Sequence, residues 1–140
     1  MQVNIKSNAK EISKRVGKKG KELAASVKRA LSITAQTGIN IIEARTNKGL
    51  GFKGGKFKDY TPIYAAFRAS KGRGKNPDLQ FTRQMLGSMT SKASARQAEI
   101  FFTRATEAKK AAMNNKSRPF FGFSSSEEKQ LGEVFFRALK

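Results

Sequence analysis

Residues 89–104 read Met-Thr-Ser-Lys-Ala-Ser-Ala-Arg-Gln-Ala-Glu-Ile-Phe-Phe-Thr-Arg. Met89–Ala95 reads as a strand, Ser94–Gln97 as a turn, and Ala98–Arg104 as the partner strand, because β-forming side chains crowd its second half. A lone hairpin is marginal in water, so the fold depends on what the chain supplies on either side of this stretch.

Upstream, Gln2–Lys6 alternates, with Val3 and Ile5 on one side, and reads as a further short strand. From about Asn8 to Thr46 the period is helical. Ile12, Val16, Leu23, Val27, Ala30, Thr34, Gly38 and Ile41/Ile42 recur at steps of three, four or seven. Lys10, Lys14, Lys18, Lys21 and Lys28 lie off that stripe, Ser7 and Asn8 can cap its start, and Gly17 and Gly20 mark where it can bend or break. A helix of about 40 residues would measure about 60 Å, so part of it is expected over the sheet and part against a neighbouring subunit. Downstream, Thr106–Asn114 reads as a short helix, Asn114–Ser117 as a turn, and Pro119–Phe123 as an extended apolar strand. A last helix begins near Ser124–Ser126, with Glu127 and Glu128 in its electropositive first turn and Leu131, Val134, Phe135 and Ala138/Leu139 as its buried stripe.

The pattern predicts an α+β domain spanning 1–140. A small antiparallel sheet from residues 2–6, 89–95, 98–104 and 119–123 is packed by a long N-terminal helix and a C-terminal helix. Phe120, Phe123, Leu131 and Phe135 are expected in the core.

The net charge of +19 is spread as +7 over residues 1–46, +6 over 47–78, +5 over 79–116 and +1 over 117–140. That exceeds the roughly 2–8 of an ordinary small domain and points to an acidic or polyanionic partner. The chain has no Cys and no His, which removes disulfides, thiolate and imidazole metal sites, and Cys or His catalysis. No apolar run reaches the length of a membrane span, and the N-terminus lacks an apolar signal core, so a soluble protein made in the cytoplasm is expected.

Between the long helix and the hairpin lies the basic stretch Gly49–Met89. The loop Asn47–Tyr60 has no regular period and reads as a flexible basic insert at 47–59 carrying Lys48, Lys53, Lys56 and Lys58. Thr61 caps a helix with Pro62 in its first position, and Ile63, Tyr64 and Phe67 share one face of it. Lys71-Gly72-Arg73-Gly74-Lys75 is a second flexible basic turn, stopped by Pro77, and Thr82 can cap a short helix, Arg83–Ser88, with Met85, Leu86 and Met89 facing inward.

Two motifs mimic known chemistry. Gly49–Gly54 is formally GxGxxG, but it follows a helix and opens a loop, whereas a dinucleotide fingerprint follows a strand and opens a helix. Pro77-Asp78 with Glu107-Ala108-Lys109 imitates a PD…ExK nuclease, whose two carboxylates must sit on adjacent strands to hold Mg²⁺; here they fall in a basic loop and a helix-like segment. The chain is therefore expected not to be an enzyme and to carry no cofactor or metal.

The order of the remaining motifs resembles a known family. A glycine-rich loop leads to Phe57, Lys58, Tyr60–Pro62, Tyr64 and Ala65; then come Leu79, Thr82, Met85, Leu86 and Ser88; then Arg118-Pro119-Phe120-Phe121-Gly122-Phe123-Ser124 before a closing helix. Over residues 45–140 this looks like the phage virion-morphogenesis proteins, the tail-completion or head–tail joining neck proteins of tailed bacteriophages. The resemblance implies a virion structural protein that forms a homo-oligomeric ring of six copies between head connector and tail, with neighbouring connector and tail proteins and packaged DNA as partners. Tyr60, Pro62, Tyr64, Arg118, Pro119, Phe120 and Phe123 would be its structural motif. Lys48, Lys53, Lys56, Lys58, Arg68, Lys71, Arg73 and Lys75 are the expected contacts to a partner. The alternative, resting on charge alone, is a basic nucleic-acid-binding protein with no virion role.

Overall fold

The computed structural model describes residues 1–6, 17–80 and 82–139. Its elements run β1 (Val3–Lys6), α1 (Lys18–Asn47), α2 (Pro62–Ser70), α3 (Gln84–Gly87), β2 (Met89–Ala93), β3 (Gln97–Phe102), α4 (Ala105–Ser117) and α5 (Ser125–Ala138). They group into two compact units, each assembled from distant segments. One, here the sheet unit, holds Gln2–Asn40, Thr90–Phe101 and Ser125–Lys140; the other, the loop unit, holds Ile41–Met89 and Phe102–Ser124 with Met1.

The sheet unit is the α+β arrangement that the periodicities predict: a three-stranded antiparallel sheet with a long N-terminal and a C-terminal helix packed against it. The strand order is β1-β3-β2, and β1 pairs with β3 in the register Val3↔Ile100 and Ile5↔Ala98. As the central strand, β3 buries Ala98, Glu99 and Ile100. The Glu99 carboxylate meets Lys92 of β2 at 2.8 Å, a cross-strand pair that keeps its charge compensated. Ser94 closes the hairpin: its N–H donates to the Gln97 carbonyl at 2.8 Å, and its hydroxyl accepts from the Arg96 and Gln97 N–H groups. On α1, Val27, Ala30, Leu31, Thr34, Ala35 and Ile39 form the buried stripe, and the Thr34 hydroxyl is satisfied by the Ala30 carbonyl at 2.8 Å. Gly17, at φ +64°, stands immediately before the helix, so it marks a start, while Gly20 lies within it. The predicted helical stretch 8–16, with Ser7, Asn8, Lys10, Ile12, Lys14 and Val16, lies outside the described residues.

On α5, Leu131 is buried but Val134, Phe135 and Ala138 are only half-buried, and Phe136 is 71% exposed. Phe135 is therefore less enclosed than its place on the stripe predicts, and its ring lies 5.5 Å from that of the exposed Phe136.

In the loop unit, α4 runs on to Ser117, so the predicted turn at Asn114–Ser117 is helix. Residues 119–123 are not a strand. The difference has a physical reason. The backbone groups of this segment are taken by side chains and a loop amide rather than by a ladder: the Asn115 Oδ1 accepts from the N–H groups of Phe120 and Phe121 at 3.0 Å each, the Arg45 Nη2 donates to the carbonyls of Phe120 at 2.6 Å and Gly122 at 3.0 Å, and the Phe52 N–H donates to the Pro119 carbonyl at 3.1 Å. The segment is buried as expected where it counts. Phe120 is 0% exposed, and its ring centroid lies 6.5 Å from that of Phe102 and 6.1 Å from that of Phe121; Phe123 is half-buried.

The loop after α1 is held by contacts that its lack of period hides. Leu50 and Lys56 form an antiparallel bridge, the Phe57 N–H reaches the Gly49 carbonyl at 2.8 Å, and the Phe57 ring is buried. Gly51 is needed there, since a Cβ would stand 2.9 Å from the Pro119 carbonyl oxygen. The insert that reads as flexible is thus anchored by one buried ring, Phe57.

Candidate binding site

Thr61 accepts from the Tyr64 N–H at 3.4 Å, Pro62 opens α2, and the helix places Tyr64, Phe67 and Arg68 as neighbours along one side. Tyr60 and Tyr64 meet edge-to-face at 4.9 Å, and Tyr64 and Phe67 lie 6.3 Å apart.

Arg68 faces inward. It is 1% exposed, its Nε donates to the Gly74 carbonyl at 3.0 Å, and its Nη2 meets the Asp78 Oδ1 at 2.9 Å. Asp78 also accepts from the Gln80 N–H at 3.0 Å. Arg68 is thus the internal brace of the second basic turn, a correction to its expected place among partner-facing cations. A guanidinium can be buried here because its planar fork finds a carboxylate and a carbonyl at once. Burial acts to lower its pKa but is outweighed by the Tyr64 side chain and by the charges of Tyr60 and Asp78, so the net shift is upward.

Arg118 is the second brace. Its Nε donates to the Lys58 carbonyl at 2.7 Å and its Nη2 to the Asp59 carbonyl at 2.9 Å. Both guanidinium carbons lie near the Tyr60 ring, Arg118 at 4.7 Å and Arg68 at 4.9 Å from its centroid. The Tyr60 hydroxyl accepts from the Leu79 N–H at 3.1 Å, and burial pushes its pKa up from the ordinary 10.0. Sequence motifs some 60 residues apart therefore meet at one ring.

These residues wall a cavity of about 490 Å³, with Arg83, Lys110 and Glu107 completing its charged lining. Glu107 is 3% exposed; its Oε1 meets Lys110 Nζ at 3.1 Å, while its Oε2 is buried with no hydrogen-bond partner among the described residues. Leu79 (φ 57°) and Arg83 (φ 64°), both on this wall, have left-handed backbones that side chains with a Cβ rarely adopt.

The cations expected to meet a partner divide. Lys48, Lys53, Lys56, Lys58, Lys71, Arg73 and Lys75 are exposed; Arg68 is not. Of the structural motif, Tyr60, Tyr64 and Arg118 share the cavity wall, Pro62 stays exposed at the helix start, and Pro119 and Phe120 belong to the clamped segment. Sequence reasoning missed Arg45, Asn115 and Arg83, whose partners or places lie across loops that no spacing rule connects. The two carboxylates of the PD…ExK imitation have separate cation partners, Arg68 for Asp78 and Lys110 for Glu107. Among the described residues there is no group of three or more acidic side chains that could hold a metal ion, and no helix is long and apolar enough to cross a membrane. Compared with protein-family models, curated proteins and solved structures, the chain finds no match.

Proposed function

We propose that this chain is a structural virion protein of a tailed bacteriophage, a subunit of a six-copy ring in the neck that completes the tail and joins it to the head. The observation that carries the reading is the uncovered apolar face of α2: Ile63 is 86% exposed and Phe67, one turn on, 46%. A chain with +19 charge has polar surface to spare, so an apolar pair exposed on one helix face marks a contact that another chain completes. The meeting of the Tyr60-Thr61-Pro62 motif with Arg118 supports the resemblance, because it gives both motifs one structural purpose. Lys48, Lys53, Lys56 and Lys58 project from the adjoining loop and suit acidic connector or tail proteins, or packaged DNA.

The experiment is electron microscopy of assembling particles carrying Lys48, Lys53, Lys56 and Lys58 all replaced by Gln. Separate heads and tails, with an unchanged melting temperature of the purified variant, are expected. Normal joined particles would remove the loop from the contact. The rival, a nucleic-acid-binding protein with no virion role, gains support from the Phe67 ring lying exposed within 5.9 Å of the Lys71 ammonium. A virion that lacks the protein would favour it.

A further inference from the structure

We propose that the cavity between α2, α3 and α4 is a subsite for one nucleotide of a single-stranded nucleic acid. Arg83, Lys110 and Arg118 would hold its phosphate, and Tyr64 would carry its base. The inference does not depend on ring assembly, because every residue it uses belongs to the loop unit.

Charge selects the ligand first. Four cations, Arg68, Arg83, Lys110 and Arg118, face the cavity against one carboxylate, Glu107. Arg68 is committed to Asp78 and Gly74, which leaves three cations for a ligand. Lys110 spends one of its three N–H donors on Glu107, and Arg118 uses its Nε and Nη2 on backbone carbonyls, leaving Nη1. Arg83 is exposed and lines the cavity with a left-handed backbone, φ 64°. Free donors from three cations suit a phosphate's several acceptor oxygens.

An acidic peptide would satisfy those cations equally well. The aromatic wall favours a nucleotide instead: Tyr64 is partly exposed and lies beside the basic side chains, which gives the paired platform and charge that single strands use. A cavity of about 490 Å³ is within the usual range for ligands of nucleotide size. Glu107 occupies one Lys110 donor, and its own charge opposes the phosphate.

The chain has two tyrosines, Tyr60 and Tyr64, both on this wall, and no tryptophan. Tyrosine fluorescence therefore reports the cavity directly. The test titrates the purified chain with a dT hexamer, an RNA U hexamer, inorganic triphosphate and hexaglutamate, corrected for absorption. The expected result is quenching by the hexamers, at affinity at least tenfold above triphosphate and hexaglutamate. Comparable binding of the dT and U strands means that the shared phosphate and base are read; a preference for one names the natural source. Arg83→Ala is expected to weaken hexamers and triphosphate alike, by about fivefold. Tyr64→Leu, followed through Tyr60, should lower hexamer affinity tenfold and leave triphosphate unchanged. Glu107→Gln, which takes the one negative charge out of the lining, should tighten the hexamer. Hexaglutamate binding as tightly as the hexamers would overturn the proposal in favour of an acidic peptide. Weaker hexamer binding by Glu107→Gln would overturn it in favour of a ligand that donates to the carboxylate. Absence of binding by the folded wild type at millimolar concentration would overturn it outright.

Discussion

The sheet unit and the loop unit satisfy their backbones by different means. In the sheet unit the N–H and C=O groups pair within helices and across β1-β3-β2, and the side chains mainly fill space. In the loop unit, side chains substitute for a ladder: Arg45 and Asn115 hold 120–122, Arg118 holds 58–59, Arg68 holds Gly74, and Tyr60 holds Leu79. A ladder is a property of a run of residues and shows as a period. A clamp is the property of one residue and one distant carbonyl. The two units should therefore respond differently to single polar substitutions.

The largest effect belongs to the aromatic core of the loop unit. Phe120→Ala should cost about 3–5 kcal/mol, since the ring is fully buried among Phe102 and Phe121. Thermal unfolding should show a fall of roughly 10 °C or more; a variant that melts within a degree or two of wild type would remove Phe120 from the core.

Next comes a clamp. Arg118→Gln loses two charge-assisted bonds to the Lys58 and Asp59 carbonyls and should cost about 2 kcal/mol. Denaturant titration measures it, and a loss no greater than that of an ordinary surface residue would erase the distinction between the units.

Tyr60 sharpens the comparison through pH. Its folded pKa is raised by burial, so the folded state keeps the phenol proton where the unfolded chain has begun to lose it. The stability this contributes is full below about pH 10 and is lost as pH rises from there through the folded value. Tyr60→Phe should flatten the fall in unfolding free energy above pH 10, at a fixed cost of about 1 kcal/mol for the Leu79 N–H left without its acceptor.

The smallest effect lies in the sheet unit. Lys92→Ala breaks the pair with Glu99, but the lysine end is exposed and the strand keeps its ladder; less than 1 kcal/mol is expected by the same titration.

This difference also explains what could be read from the sequence. The stripe through Val27, Ala30 and Thr34 and the strands around Ile5 and Ile100 are periodic, and they fall where the period puts them. Thr61-Pro62 announced the start of α2 because capping is local chemistry. Residues 119–123 misled because an apolar run has the composition of a strand whether its partner is another strand or the Asn115 and Arg45 side chains. Arg68 misled for a related reason: a cation in a basic turn looks like surface until Asp78, ten residues on, folds back to meet it. The cavity could not be read at all, since its wall draws on α2, the turn before α3, and α4.

The proposal that this chain works by assembling rests on the uncovered pair on α2, and the mass of the protein in solution tests it most directly. Like charges oppose a ring of +19 subunits, so sedimentation should be run at 0.5 M salt, where the screening length falls to about 4 Å. The account predicts a six-copy species for wild type and a folded monomer for Ile63→Asp with an unchanged melting temperature, because Ile63 is too exposed to support the fold. A wild-type chain that remains monomeric at every concentration and salt, or an Ile63→Asp variant that assembles as wild type does, would contradict it.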